Sequence, residues 1–143
     1  YALWEAIKEG LRDGTIDVIA TDHAPHSPEE KATEYALAPS GMIGFETALS
    51  CVISELVRPG VLDLSSAIAR MTVNPARILG ISKGTLSVGS DADIVVIDLD
   101  KEWVADPGTY RSKSRNCPYK GRKMIGKAVL TMVGGRVVMR DGI

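Results

Sequence analysis

Cysteine is scarce in this sequence, and no cysteine motif is present. Only Cys51 and Cys117 occur among 143 residues, and they lie far apart in the chain. Two such cysteines form neither a disulfide framework nor a CxxC motif, so we expect a reducing, cytoplasmic compartment. Cys51 falls within an apolar helical pattern, which predicts a buried thiol.

Long hydrophobic runs and an excess of one charge are also missing. No apolar run approaches the length of a membrane span. The opening residues, YALWEAIKEG, lack the basic region and apolar block of a signal peptide. Because 17 Lys and Arg balance 18 Asp and Glu, we expect no general affinity for nucleic acid or anionic membranes. A hydrophobic content of 45% is typical of a globular chain with a real core.

Apolar residues recur at helical spacing near the start of the chain. Leu3, Ile7 and Leu11 repeat every four residues, which predicts an amphipathic helix that ends near Gly14. Residues 15–21, TIDVIAT, are short and β-branched and predict a strand.

Further helices are predicted after the long polar segment that follows this strand. Apolar spacing favours a second helix over residues 45–56, ended by Pro59-Gly60, and a third over residues 64–71. Asp63 is the candidate N-cap of the third helix.

A fourth, short helix is predicted from a capping pattern. Asn74 is the expected cap, Pro75 the first helical residue, and Gly80 the end of the helix. The character of the sequence changes after Gly84, where β-type patterns replace helical ones.

The second half of the chain predicts a small β unit. Residues 94–97 are wholly apolar and predict a strand, and a strand–turn–strand pattern surrounds Gly134-Gly135. We therefore expect two units, residues 1–80 and residues 81–143.

Histidine is rare too, and both histidines occur in one stretch, VIATDHAPHSPEEK. Asp22 directly follows the first predicted strand, and His23 and His26 come next. In α/β barrels the chemistry lies at the carboxyl ends of the strands. An aspartate there can ligate a metal and transfer a proton.

Each of these residues also has a plainer interpretation. An aspartate after a strand commonly caps a helix or forms a turn, and a loop histidine such as His26 is commonly solvated. The spacing is not HExxH, because a proline separates the histidines. Asp22 and two histidines do not complete a coordination sphere, so a metal site is one alternative among these.

Longer motifs extend this picture over nearly the whole chain. The segments TDHAPHSPEEK, APSGMIGFETAL, NPARILGI, GTLSVGSDADIVVIDLD and YRSKSRNCPYKGRKMIGKAVLTMVGGRVV occur in this order. Together they resemble class I dihydroorotases of the amidohydrolase superfamily. NPARILG and DADIVVID are shared by many amidohydrolases, whereas TDHAPH with SKSxNxPYxG is much more specific. Hydantoinases and allantoinases usually differ at the position of His26.

The resemblance implies a fold and an activity. The expected fold class is α/β: residues 1–80 would be the C-terminal part of a TIM-like metal-dependent hydrolase barrel, with its last strand and helix. Residues 81–143 would be the C-terminal part of a small β-sandwich domain. The implied reaction is reversible hydrolysis of dihydroorotate to N-carbamoyl-L-aspartate, in pyrimidine synthesis, with a binuclear zinc centre as cofactor.

The resemblance also implies roles for individual residues. Asp22 matches the catalytic aspartate that binds the metal, and His26 matches the residue that binds the substrate carboxylate. Ser40 and Gly41 match a pair whose backbone contacts the pyrimidine ring, although many relatives carry a bulkier residue at Ser40. His23 has no ligand role implied.

Several parts that the resemblance calls for are missing from this sequence. There is no HxH pair and no further histidine, and a complete barrel needs about 250 residues where the chain has 143. We therefore expect a carboxyl-terminal portion of an enzyme, inactive alone, that needs the rest of the barrel or homo-oligomerisation. The alternatives are a hydantoinase or allantoinase, which His26 disfavours, and a non-catalytic scaffold for aspartate transcarbamoylase, which would need neither Asp22 nor His26.

A basic stretch near the C-terminus could suggest nucleic-acid binding. Its nine cations, with no acid among them, are Arg111, Lys113, Arg115, Lys120, Arg122, Lys123, Lys127, Arg136 and Arg140. Only Tyr110 and Tyr119 could stack on bases, and the total charge is slightly negative. A solvated face, or a contact with an acidic part elsewhere, is the favoured interpretation.

Overall fold

A computed structural model of the chain describes residues 2–142. The described helices are α1 (Ala2–Asp13), α2 (Pro28–Lys31), α3 (Ala48–Val52), α4 (Leu64–Ala69) and α5 (Val73–Leu79). A π-helical turn, Ile53–Val57, continues α3, and a 3₁₀ turn covers Pro107–Thr109. The strands are β1 (Ile94–Val104), β2 (Lys123–Val133) and β3 (Arg136–Arg140).

The first two long helices form in the regions where apolar periodicity predicted them. α1 buries Leu11 on its apolar face and ends before Gly14, whose φ is 85°. The helix that begins as α3 widens at its end, where the Arg58 amide donates to the Ile53 carbonyl at 2.9 Å. This bond spans five residues and defines the π turn, which stops ahead of Pro59.

The two shorter helices confirm one predicted cap and correct another. The Asp63 carboxylate accepts a hydrogen bond from the Ser66 amide at 2.8 Å and caps α4 as expected. The prediction of Asn74 as a cap is wrong, because α5 already begins at Val73. The Asn74 side chain instead donates to the Asp17 carbonyl at 3.0 Å, and this long-range bond replaces the local capping bond.

Residues 15–21 do not form the predicted strand. Isolated bonds hold this extended segment, such as the one from the Ile19 amide to the Arg70 carbonyl at 3.0 Å. Just beyond it, His23 and Met42 form a single parallel bridge. A strand needs a continuous ladder to a neighbour, and no other segment within residues 2–142 provides one here.

One hydrophobic cluster joins the first helices. Its buried members are Leu11, Val52, Leu56, Val61, Leu62 and Ala67. Ile16 and Ile19 from the extended segment also pack against it, so that segment is anchored by apolar contacts. Cys51 borders an open cavity of about 490 Å³ beside this cluster. The prediction of a buried Cys51 is wrong, since its side chain is only half-buried, although that burial still raises the pKa of the thiol.

The strands form an antiparallel sheet in the order β1-β2-β3. The turn at Gly134-Gly135 is confirmed, because Val133 pairs with Arg136 across it. β1 extends well beyond the predicted residues 94–97, since its polar second half also pairs with β2, for example Trp103 with Met124. Apolar pattern alone indicated only the first half of this strand.

A small polar contact joins the sheet to the helices. The Ser50 hydroxyl donates to the Gly126 carbonyl at 2.5 Å, and the Trp103 indole donates to the Ser50 oxygen at 3.1 Å. Gly126 has a φ of 81°, and an added Cβ would lie 2.4 Å from a methyl of Ile53. Only glycine allows this close approach. The division into residues 1–80 and residues 81–143 stays a prediction.

Candidate functional site

Asp22 stands at the end of the extended segment in an unusual backbone conformation. Its φ of 45° is left-handed, and its side chain is exposed. The alternative that Asp22 caps the next helix is wrong, because Ser27 caps α2. The Glu30 amide donates to the Ser27 hydroxyl at 3.2 Å, and the Glu30 carboxylate accepts from the Ser27 amide at 2.9 Å. A strained residue at an exposed segment end is typical of functional sites.

His23 connects the end of the extended segment to the residues that precede α3. Its Nδ1 accepts hydrogen bonds from the amides of Gly44 at 3.1 Å and Phe45 at 3.3 Å. Since Nδ1 is an acceptor, the ring carries its proton on Nε2. The ring also stacks on Phe45, with centroids 3.8 Å apart. Phe45 was predicted within the second helix, but it precedes α3 and serves this contact instead.

The three predicted substrate-binding residues lie together. His26 Nε2 lies 3.0 Å from the Ser40 carbonyl oxygen, although 14 residues separate them. Gly41 is next to both: an added Cβ would lie 3.5 Å from His26 Nε2 and only 2.6 Å from the Ala24 Cβ. The other ring nitrogen, Nδ1, faces the Glu30 carboxylate at 3.6 Å.

Lys31 holds the Ser40-Gly41 pair in place, and the sequence did not suggest this role. Its ammonium donates to the carbonyls of Pro39 at 2.7 Å and Gly41 at 3.2 Å. The only available signal was that Lys31 lies within the motif TDHAPHSPEEK. A lysine near two histidines and an aspartate gave no reason to expect a backbone contact.

Ser114 and Asn116 were missed as well, although both belong to the motif SKSxNxPYxG. They approach the site from the segment between β1 and β2. The Ser114 hydroxyl accepts from the His26 amide at 3.1 Å. The Asn116 side chain donates to the Ala24 carbonyl at 2.9 Å and to the Gly41 carbonyl at 3.2 Å. These bonds connect the second half of the chain to the loop that carries His26.

A partly buried polar group of residues lies where the segment between β1 and β2 meets the segment before α3. The Ser112 amide donates to the Glu46 carboxylate at 3.1 Å. The second oxygen of Glu46 and the Tyr110 hydroxyl are buried without a hydrogen-bond partner in the part of the chain described. Burial, together with Cys117 and Glu46 nearby, raises the pKa of Tyr110, which therefore stays neutral.

A small cationic cavity of about 180 Å³ opens beside His26. Its lining residues are His26, Ser27, Pro28, Lys31, Arg115 and Asn116. The cationic side chains suit an anionic group. Elsewhere in the basic stretch, Arg122 pairs with Glu55 at 2.5 Å and Lys127 lies over the Trp103 ring at 4.6 Å. Some of these cations thus contact other parts of this same chain.

Two kinds of feature are absent from residues 2–142. No three His, Cys, Asp or Glu side chains are grouped so that they could hold a metal ion. No helix in this range has the length and apolar character needed to cross a membrane.

Comparison with known proteins identifies the family. A model of the amidohydrolase family matches residues 3–138. The chain belongs to the amidohydrolase family. Among curated relatives, it is 58% identical over 138 residues to a dihydroorotase of Pelotomaculum thermopropionicum and 52% identical over 139 residues to one of Acetivibrio thermocellus. These matches include 96% and 97% of this chain but only 32% and 33% of the relatives. The chain therefore spans about a third of their length.

Solved structures of the family share the same fold. The L-hydantoinase (dihydropyrimidinase) of Arthrobacter aurescens matches with a TM-score of 0.88 and 36% identity, over 96% of this chain and 32% of that one. A dihydropyrimidinase from Brevibacillus agri matches with a TM-score of 0.89 and 25% identity, over 96% and 31%. The helices and sheet described above thus have the arrangement found in these two hydrolases.

We expect Gly41→Ala to destabilise the protein more than the same change at Gly60. Both glycines have positive φ, 117° and 72°, but only at Gly41 does an added Cβ meet another atom, at 2.6 Å. Gly60→Ala should lower the free energy of unfolding by about 1–2 kcal/mol, because alanine is strained at positive φ. Gly41→Ala should lower it by about 1–3 kcal/mol more, because the added methyl group overpacks the site. Thermal unfolding of both variants checks this, and equal losses would show that the loop yields around the new methyl group.

Proposed function

We propose that this chain is part of a dihydroorotase, which reversibly hydrolyses dihydroorotate to N-carbamoyl-L-aspartate in pyrimidine synthesis. The observation that carries the proposal is the contact of His26 with the Ser40-Gly41 pair, at 3.0 Å, close to the segment end that bears Asp22. Relatives named dihydroorotase, 58% and 52% identical to this chain, support it.

The proposed architecture completes the fold with parts outside this chain. Residues 1–80 would contribute the last strand and helix of a TIM-like barrel, and residues 81–143 the C-terminal part of a small β-sandwich domain. The open cavity beside Cys51, lined by α1 and the extended segment, would then face the remainder of the barrel. In a complete barrel, residues 15–21 would gain the neighbouring strands that their sequence predicts.

Family membership implies a metal cofactor, typically zinc, and the residues present fit it in part. The exposed carboxylate of Asp22 is a suitable oxygen ligand for zinc. Within residues 2–142 no group of three candidate ligands exists, so the binuclear centre would take its other ligands from elsewhere. When bound, such a metal lowers the pKa of water and polarises the amide carbonyl.

Asp22 would transfer the proton that ring opening requires. Its carboxylate takes a proton from the attacking water and delivers it to the ring nitrogen as the amide bond breaks. Asp22 has a left-handed backbone, with φ 45°, and its side chain is exposed. His23 supports this geometry from the next position, because two backbone amides hold its ring.

His26 and its neighbours would recognise the substrate. The imidazole donates to the substrate carboxylate, exchanging its present contact with the Ser40 carbonyl for the substrate. Lys31 and Arg115 line the same small cavity and add positive charge around that carboxylate. Gly41 has no side chain, so backbone groups of the Ser40-Gly41 pair can approach the flat ring.

A hydantoinase is the second candidate, because the similar solved structures carry that name. His26 argues against it, since a substrate without a carboxylate offers no anionic group to this donor and its cationic neighbours. A scaffold subunit for aspartate transcarbamoylase is disfavoured for a related reason: a protein without catalysis needs neither Asp22 nor His26.

The test compares substrates on a protein of the relatives' length that carries this chain, hereafter the full-length protein. We expect turnover of dihydroorotate and N-carbamoyl-aspartate, and much weaker turnover of hydantoin or plain dihydropyrimidine. The 143-residue chain alone should show none, with or without zinc, because one carboxylate does not hold a catalytic metal against water. A preference for hydantoin would contradict the proposal. Chelator-sensitive turnover by the isolated chain would contradict the inference that the other metal ligands lie outside it.

A further inference from the structure

We propose that Ser114 and Asn116 are positioning residues that set the substrate preference of the site. Together they form a clamp, named here the 114–116 clamp, between the segment before β2 and the loop that carries His26 and Gly41. The inference rests on the proposed function, because it concerns how the site distinguishes a ring with a carboxylate from one without.

Ser114 binds the backbone of His26 directly. Its side chain is buried, and its hydroxyl oxygen accepts from the His26 amide at 3.1 Å and lies 2.5 Å from the His26 carbonyl oxygen. The same hydroxyl also contacts the Asn116 side-chain oxygen. A hydroxyl has one proton, so it donates to one of these two acceptors while it accepts from His26.

Asn116 connects the two segments that form the candidate binding site. One N–H of its amide donates to the Ala24 carbonyl at 2.9 Å, and the other to the Gly41 carbonyl at 3.2 Å. Its own backbone carbonyl accepts from the Ile43 amide at 3.2 Å. Both donors of a single side chain are therefore used to hold the His26 loop and the Gly41 segment at a fixed separation.

These bonds act where regular structure is absent. Ala24 and His26 lie between the single bridge at His23 and the start of α2, so no helix or sheet ladder orients them. The direction of the His26 ring follows from the backbone that the 114–116 clamp holds. A displacement of about 1 Å at a recognition group can reduce rates by about 100-fold, so loosening the clamp should weaken carboxylate recognition selectively.

The experiment uses the full-length protein with two clamp variants and two controls. Ser114→Ala removes the hydroxyl, and Asn116→Leu keeps the approximate size of the side chain but removes both donors without adding a charge to the cavity. Ser112→Ala is the matched serine control from the same segment. Asn74→Ala is the asparagine control, because Asn74 also donates to a distant backbone carbonyl, that of Asp17.

We expect each clamp variant to lower kcat/KM for dihydroorotate about 10-fold more than kcat/KM for an uncharged dihydropyrimidine, the size expected for one buried hydrogen bond. The change should fall mainly on KM, because the clamp acts on binding geometry. Neither control should change the ratio of the two substrates. Equal losses on both substrates that follow the thermal midpoint would reduce the clamp to a structural role and overturn the proposal.

Hydrogen exchange separates this inference from the proposed function. In Ser114→Ala, the amides of Ala24, His26 and Ile43 should exchange about 10-fold faster than in Ser112→Ala, because their loop loses its attachment. Unchanged exchange overturns the clamp whatever the activity. If the unmodified full-length protein does not turn over dihydroorotate, the proposed function fails, and these exchange rates alone then decide whether the clamp holds the loop.

Discussion

Asp22→Asn in the full-length protein should lower turnover about 100-fold or more, the usual contribution of a positioned acid–base group. The substitution keeps the shape of the side chain but removes its charge and its basicity. It should also weaken metal binding, since a neutral amide is a poorer ligand than a carboxylate. The measurement is kcat for dihydroorotate on samples whose metal content has been determined.

The matched control for this prediction is Asp17→Asn. Asp17 is also exposed and lies on the same extended segment, but its hydrogen bond within residues 2–142 is made by its backbone carbonyl, which accepts from Asn74. It should keep turnover close to that of the unmodified protein. If Asp22→Asn with full metal content behaves in the same way, Asp22 has no catalytic role and serves only to turn the chain.

His26→Ala should reduce kcat/KM for dihydroorotate about 10- to 150-fold, because a charge-assisted hydrogen bond contributes about 1.5–3 kcal/mol. The loss should be much smaller for a plain dihydropyrimidine or a substrate amide, which lacks the carboxylate. His26→Asn keeps a donor and should recover part of the loss. Kinetic profiles with charged and uncharged substrates on each variant provide the measurement.

His23→Ala is the control for the histidine prediction. Its Nδ1 accepts two backbone amides and its ring stacks on Phe45, so its loss should lower thermal stability or metal occupancy without changing substrate preference. If His26→Ala instead loses the same factor on both substrates, His26 only shapes the loop and does not bind the carboxylate.

Local features of the fold followed from the sequence because their causes are local. The spacing of Leu3, Ile7 and Leu11 predicted α1, and Asp63 caps α4 through a residue three positions away. The hairpin at Gly134-Gly135 is decided by two adjacent residues that tolerate positive φ. Each of these signals lies within one or two turns of chain.

Predictions that depend on distant partners were less successful. Residues 15–21 have the composition of a strand, but a strand exists only beside another strand. Asn74 has the composition of a cap, yet a carbonyl 57 positions earlier binds its side chain. In both cases the local preference was present and a tertiary contact, or its absence, decided the outcome.

The sequence by itself determined which residues are candidates for the site. Its motifs predicted Asp22, His26, Ser40 and Gly41 through their resemblance to dihydroorotases, and the roles of these residues stay predictions. The tertiary structure alone decided how these residues are held. The 114–116 clamp reaches back 88 positions to His26 and 92 positions to Ala24. It binds backbone amides and carbonyls, which nearly every residue carries, so no side-chain pattern within the loop could indicate which of them it would bind.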